Sequence, residues 1–425
     1  MKKFLLFAIV LLMPFLMKSQ EEKKFGVTFS GYVKSDLLWD SRQVESLREG
    51  HFLLYPLNEK LDKDGKDINA QPSWNLLNIQ TRLRVDMFGP DVLGAKLTGA
   101  IEGEFFGNIQ TDINGFRLRH AYIKLNWKTT ELMVGQFWHP MFITACYPEV
   151  VSFNTGAPFT PFTRNPQIRL SQNIGNFKVI VTALSQIDFK SDGPVSPTPL
   201  TGPYSEANTK YLRNSAIPAF NLNFEYSKSN PAKGTSFLAG IGADYKTLVP
   251  RLSTDSNYKA NESVSSYSFI GYVKIGLKPI TIKLFGVYGQ DMYDYTMITG
   301  NAVKSIDPAT DRREYTPLMA ESFWAEIMTN GKKMQGGLFM AYSKNLGSKD
   351  DILLGSKYVY SRGPDMAYLY RISPRFIWNI GKLRIAPEIE YTVVAYGTTE
   401  ADKAKVVDTK EIGNFRLLVG FYYFF

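Results

Sequence analysis

The chain has 425 residues, a formal charge of +9, a single cysteine and 14% aromatic residues, 24 of them tyrosine. One cysteine, Cys146, rules out an intramolecular disulfide and reads as a small buried apolar side chain. The charge is too mild for nucleic acid, and past the N-terminus no run approaches the roughly 20 apolar residues of a spanning helix; a mean hydropathy of −0.17 leaves room for a membrane barrel, whose alternating strands average out.

Residues 1–20 read as a signal peptide. Lys2 and Lys3 make the positive start, Phe4 to Met17 the apolar run, and cleavage near Ser19 or Gln20 frees a mature chain of residues 21–425. No cysteine stands at the junction to carry a lipid anchor.

The mature chain shows no domain boundary, linker or short repeat, and it alternates. The first expected strand, Phe25 to Trp39, sets Val27, Phe29, Gly31, Val33 and Leu37 against Thr28, Ser30, Tyr32, Lys34 and Asp36. A polar connection, Asp40 to Ser73, carries a charged run over 59–67 that reads as a solvated loop. The second strand, about Trp74 to Phe88, opposes Leu77, Ile79, Leu83, Val85 and Met87 to Asn78, Gln80, Arg82, Arg84 and Asp86. The turn Gly89-Pro90-Asp91 leads to a third strand, about Leu93 to Phe106, with Lys96, Glu102 and Glu104 on its polar side. The fourth, Gly115 to Trp127, is irregular: a face made by Ala121, Ile123, Leu125 and Trp127 would also carry Arg117 and Arg119, which a β-bulge, or placement of the arginines above the lipid, would resolve. A fifth ends near Trp138. Eleven more are expected over Asn165–Asn173, Asn176–Asp188, Leu212–Ser227, Thr235–Lys246, Ser263–Leu277, Ile280–Tyr293, Tyr315–Met328, Lys333–Lys344, Met366–Ile380, Lys382–Ala395 and Lys410–Phe425.

About sixteen strands result, and the connections between them alternate. Those after even-numbered strands are short; those after odd-numbered ones are mostly long. This is the asymmetry of an all-β transmembrane antiparallel barrel with short periplasmic turns and long extracellular loops. Trp127, Tyr226, Trp378, Tyr423 and Phe425 fall at the expected periplasmic ends and Trp39 at an outer end, where interfacial aromatics belong. The last stretch, Asn414 to Phe425, is apolar along one face to its end, and a closed barrel explains that face better than a soluble edge strand does.

Sixteen strands enclose more space than their side chains fill, so the inward face is the candidate functional surface. It comprises Arg82, Arg84, Asp86, Lys96, Glu102, Glu104, Arg169, Lys178, Arg371, Arg375, Arg384, Glu388, Glu390 and Arg416. Rings of such charges bias which ions pass; equally, they solvate and stiffen a wall. The connection 139–164 is too apolar and aromatic for water and is expected to fold inward as a constriction, with Glu149 and Arg164 at its eyelet and Tyr147, Phe153, Phe159 and Phe162 packing it. Chemistry has little support. His51, His120 and His139 are too scattered for a metal cluster, and no hydrolase, phosphate-loop or dinucleotide fingerprint occurs. Asp291, Asp294 and Glu314 give a weak calcium signal.

Residue detail then adds a resemblance. The stretch FRLRHAYIKL from Phe116 to Leu125, followed by Val134, Gly135 and Gln136, resembles the porin pattern of an Arg-rich strand before a Val/Leu-Gly-Gln strand. Gly156-Ala-Pro, the run from Arg164 to Arg169 and Gln186-Ile-Asp resemble it too. The chain is similar to the DcaP-like porins and, by its leader, to porin-like outer-membrane proteins of Bacteroidota. The end from Gly420 to Phe425 resembles the barrel-assembly signal read by the outer-membrane insertion machinery. The resemblance implies a homotrimer of sixteen-stranded channels, set in outer-membrane lipid and lipopolysaccharide, passing small hydrophilic, often anionic, solutes without a cofactor. No coiled-coil segment of the DcaP-like kind follows the leader, so a trimer would need other contacts. The leading expectation is a passive diffusion channel, not an enzyme. The alternatives are a structural or adaptor barrel of a secretion, folding or uptake complex, and a hydrolase with His120 or His139 as base on the rim.

Overall fold

The computed structural model describes residues 25–425; the expected signal peptide lies outside the described residues. Sixteen antiparallel strands close into a barrel. They are β1 (Gly26–Asp40), β2 (Ser73–Leu77 and Arg82–Phe88), β3 (Lys96–Glu104), β4 (Arg117–Asn126), β5 (Thr130–Trp138), β6 (Arg164–Ile174), β7 (Phe177–Leu184), β8 (Ala219–Asn230), β9 (Thr235–Leu248), β10 (Val264–Gly276), β11 (Ile280–Gln290), β12 (Arg313–Thr329), β13 (Met334–Ser348), β14 (Met366–Ile380), β15 (Leu383–Thr399) and β16 (Val406–Phe424). Each pairs with its chain neighbours, and β16 pairs with β1, Val33 opposite Tyr423 and Asp40 opposite Arg416. Closure leaves no edge, which is what a sheet in hydrocarbon requires of its backbone donors and acceptors.

The two faces separate as the alternation demands. Phe29, Val33, Ile123, Ile168, Phe323 and Phe415 stand exposed on the outer face, while Lys34, Asp36, Glu104, Arg371 and Arg416 are buried on the inner one. Several boundaries differ from the sequence reading. The seventh strand stops at Leu184, so Asp188 belongs to a loop, and the eighth begins at Ala219 because Lys210–Arg213 forms a helical turn. The second is broken over 78–81. There Ile79 turns inward, and the Thr81 hydroxyl accepts from Lys34 N (3.1 Å), replacing a lost rung of the ladder.

The irregular fourth strand is resolved by a bulge. Opposite β3, His120 faces Glu102 and Leu118 faces Gly103, so Arg119 is the extra residue. Arg117, Arg119 and His120 all end inside, and Leu118 faces out. The carbonyls of Leu118 and Arg119 accept from Gln136 Nε2, at 3.4 and 3.0 Å, which keeps the defect satisfied. Beside it Gly135 has φ +137°, and a Cβ there would lie 2.2 Å from the Ala121 carbonyl. The Val-Gly-Gln pattern is thus the chemistry of this bulge.

Three connections turn into the barrel. The loop after β1 makes a hairpin, Val44–Leu47 with Phe52–Pro56, whose residues Phe52 to Tyr55 are buried. This was unexpected for a connection read as solvated, although its charged run over 59–67 is indeed exposed. The connection between β5 and β6, residues 139–163, is almost wholly buried, and so is 292–303. Phe52, Phe106, Phe142, Phe153, Phe159, Phe162, Met292 and Ile298 join one apolar core with Ile270, Phe285, Trp324 and Phe339 of the inner wall of β10–β13. On this side of the barrel the outer face meets lipid and the inner face sets these apolar side chains, among buried polar ones such as Lys283 and Ser322, against folded loop.

Candidate solute passage

Wall and loops are joined by polar staples. Asn223 Nδ2 donates to Pro140 O (2.9 Å), Lys283 Nζ to Tyr147 O (2.9 Å), Ser322 Oγ to Phe159 O (2.9 Å), and Arg371 to both Ala157 O (2.9 Å) and Leu54 O (2.7 Å). Glu388 accepts from the backbone of Val151 (2.6 Å) and Ser152 (3.2 Å), and Glu390 from Asn154 Nδ2 (2.7 Å). The segment 139–163 is therefore tied mostly to β8, β11, β12, β14 and β15; Lys34 of β1 and the Tyr422 hydroxyl of β16 also donate to Val151 O, at 3.0 and 3.4 Å.

A cavity of about 410 Å³ remains between this segment and the wall formed by β1–β5 with the short-turn ends of β15 and β16. Arg82, Arg84, Arg119 and Arg384 reach it, with Glu102 and His120; Tyr32, Trp138, Tyr147 and Phe424 supply aromatic surface. Behind these lies an ion network. Arg82 meets Glu104 at 3.0 Å, Arg84 meets Asp86 at 2.6 Å and Glu102 at 3.3 Å, and Arg119 meets both Glu102 (2.8 Å) and Glu104 (2.6 Å). Arg117 and Arg164 reach Asp188 at 3.4 and 2.6 Å. Five guanidiniums thus share four carboxylates. Arg384 bonds only Asn379 Oδ1 (2.9 Å) and lies over the Phe424 ring, with no carboxylate partner among the described residues. The cavity wall carries a positive surplus.

The expected site residues divide accordingly. Arg82, Arg84, Glu102 and Arg384 line the cavity, and Glu104 backs it. Arg371, Arg375, Glu388 and Glu390 hold the inner segment or one another; Arg375 pairs with Glu326 at 2.9 Å. Arg169 donates to Trp138 O (2.9 Å). Arg416 pairs with Asp40 (2.6 Å) across the closing seam. Lys96 and Lys178 stand at the short-turn rim. Glu149 and Arg164 do not face each other: Glu149 bonds Lys283 (2.7 Å), whereas Arg164 opens β6, buried against Asp188. Burial draws the Glu149 carboxyl upward, but the Lys283 ammonium outweighs it and holds the group below the usual carboxylate range. Arg164 and Arg117 do the same for Asp188 against its burial.

Two expectations fail on geometry. His120 and His139 are buried inside, not on a rim, with His139 Nε2 3.7 Å from Asp244. Asp294 is paired with Lys246, while Glu314 is exposed and reaches Lys304 at 3.6 Å, so the suggested calcium ligands do not converge; among the described residues no carboxylate, His or Cys cluster suits a metal. Lys34, Asp36 and His51 were missed as a group. The inward phase of Lys34 and Asp36 was readable; the folding back of His51 onto them from the hairpin after β1 was not.

A closed sixteen-stranded barrel with an apolar outer band and inward-folded loops is an outer-membrane barrel of porin type. The chain matches no protein-family model and no curated protein. It is similar to the solved structure of the outer membrane channel DcaP of Acinetobacter baumannii, with a TM-score of 0.65 at 15% identity over 96% of this chain and 99% of that one. It is also similar to the outer-membrane-expressed OmpT of Vibrio cholerae, with a TM-score of 0.52 at 10% identity over 96% and 99%, and to a trimer form of in-vitro folded OmpT, with a TM-score of 0.52 at 10% identity over 94% and 99%. At these identities the likeness is one of fold.

Proposed function

We propose that this protein is a passive diffusion channel of the outer membrane for small hydrophilic solutes, with a modest preference for anions. The observation that carries the reading is the cavity left beside segment 139–163, where the arginine wall exceeds its carboxylates and Arg384, among the described residues, has an amide and no carboxylate as its partner. Segment 139–163 acts as the constriction, and transport by diffusion needs no cofactor. Reversal potential across a planar bilayer in a salt gradient tests this. Anion selectivity is expected, reduced in Arg384→Gln and Arg82→Gln; absence of conductance, or strong cation selectivity, overturns it.

A second reading, a structural or adaptor barrel, draws on the apolar core that fills much of the lumen. Pull-down from native membranes separates the two, since an adaptor brings stoichiometric partners. Within the channel reading we assign the chain to the DcaP-like porins, of Bacteroidota type, as a homotrimer in lipopolysaccharide-bearing membrane, inserted by the barrel-assembly machinery through Phe425. The resemblance from Phe116 to Asp188 supports the assignment.

A further inference from the structure

Four successive inward positions of β1 cross the passage: Tyr32, Lys34, Asp36 and Leu38. Tyr32 lines the 410 Å³ cavity on the short-turn side. Leu38, with Asp40, Asn75 and Arg416, lines a second cavity of about 310 Å³ on the long-loop side. At a rise of roughly 3.3 Å per residue the two are about 20 Å apart along the strand.

Lys34 and Asp36 close the gap. Both are fully buried. Lys34 Nζ lies 3.0 Å from Asp36 Oδ2, donates to Val151 O of the inner segment (3.0 Å) and bonds Gln80 Oε1. His51 Nε2, from the hairpin after β1, lies 2.8 Å from the same Asp36 oxygen, and its ring stacks on Phe153 at 5.3 Å. Three elements therefore meet at one polar knot. Unlike the dry aromatic core beside it, the knot is incompletely bonded: Asp36 Oδ1, His51 Nδ1 and, at the second cavity, Arg416 Nη1 have no partner among the described residues. Buried polar atoms of this kind are where water resides. The polar knot of Lys34, Asp36 and His51 thus lies between the two cavities, with the buried pair Leu38 and Leu418 on its long-loop side.

We propose that Lys34, Asp36 and His51 are the gate of the passage, which joins the two cavities when the His51 side chain leaves Asp36. The inference rests on the channel reading. In the gate, Lys34 is the cation that a passing anion meets and Asp36 the charge it displaces, so both set selectivity there. The hairpin has its own anchors: Arg371 holds Leu54 O, and the Tyr396 hydroxyl donates to Pro56 O (2.6 Å).

Planar-bilayer recording of the full mature chain, with single cysteines placed in a Cys146→Ala background, tests it; heat-modifiable gel mobility identifies folded variants. Tyr32→Cys is expected to react with a charged thiol reagent only from the short-turn side, and Asn75→Cys only from the long-loop side. Adding His51→Ala should raise unitary conductance at least about twofold and open both thiols to reagent from either side. A conducting parent whose conductance and side-specificity His51→Ala leaves unmoved defeats the gate and spares the channel. Failure of the parent and every folded variant to conduct defeats both.

Discussion

Arg371 shows what a buried charge does in this barrel. Its guanidinium is fully buried and joins a strand to two loops, through Leu54 O and Ala157 O, while Nε donates to Thr392 Oγ1 (2.8 Å) and Glu390 lies 3.4 Å away. Truncation leaves two carbonyls and a carboxylate buried without their partner. Arg371→Met should therefore cost about 3–5 kcal/mol, read as a lowered denaturation midpoint in detergent micelles. Arg384 is the contrast. Exposed to the cavity and free of carboxylates, it should affect stability little and selectivity measurably, as a shift of reversal potential toward cations in Arg384→Gln. The bulge glycine is a third case: at φ +137° and pressed on the Ala121 carbonyl, Gly135→Val should abolish the heat-modifiable folded band.

Among the elements, the inward segment and the outer hairpins respond to pH with opposite sign. Glu149 ties the segment to Lys283, and its folded carboxyl lies below its ordinary value of 4.5. Stability from such a group is present above the unfolded pKa and lost as pH falls through the folded one. Protease nicking of 139–163 should therefore increase only below about pH 4.5, and Glu149→Gln should nick at neutral pH. Asp192, in the small hairpin Asp192–Pro194 with Ser205–Ala207, is pushed by burial to about 6 from an ordinary 3.8. Here the ionised form is penalised, so stability is greatest below 3.8 and is lost as pH rises toward 6. Asp192→Asn should tighten this hairpin at pH 7, seen as slower proteolysis near Lys190.

For the whole molecule, one half of the wall is a scaffold and the other is a surface. On β10–β13 Ile270, Phe285, Trp324 and Phe339 bury the inner segment; each such side chain contributes roughly 1.5–3 kcal/mol. On β2–β5 the arginines keep the remaining space wet. The segment is displaced to one side because apolar surface attracts it there and charge would have to be desolvated elsewhere. The protein should disperse only in detergent or lipid, and a compact, freely soluble globule in plain buffer would contradict the barrel.

Strand number, the long and short connections and the outward face were all legible in the primary structure, because a barrel in lipid imposes a two-residue period and a fixed asymmetry on local residues. Even the bulge at Arg119 was signalled by a broken phase. Ile270 and Phe285 at inward positions of β10 and β11, and the FLLY of residues 52–55 within a connection read as solvated, are apolar where water was expected, and only the structure showed what covers them. What the residues alone did not determine is which inward charges stay in water. Arg371 and Arg384 look alike in their strands, yet one is spent on loop carbonyls and the other faces open space. That outcome depends on where segments hundreds of residues away come to rest, as Leu54 does against Arg371 and Asn154 against Glu390, and such partners have no local period to announce them.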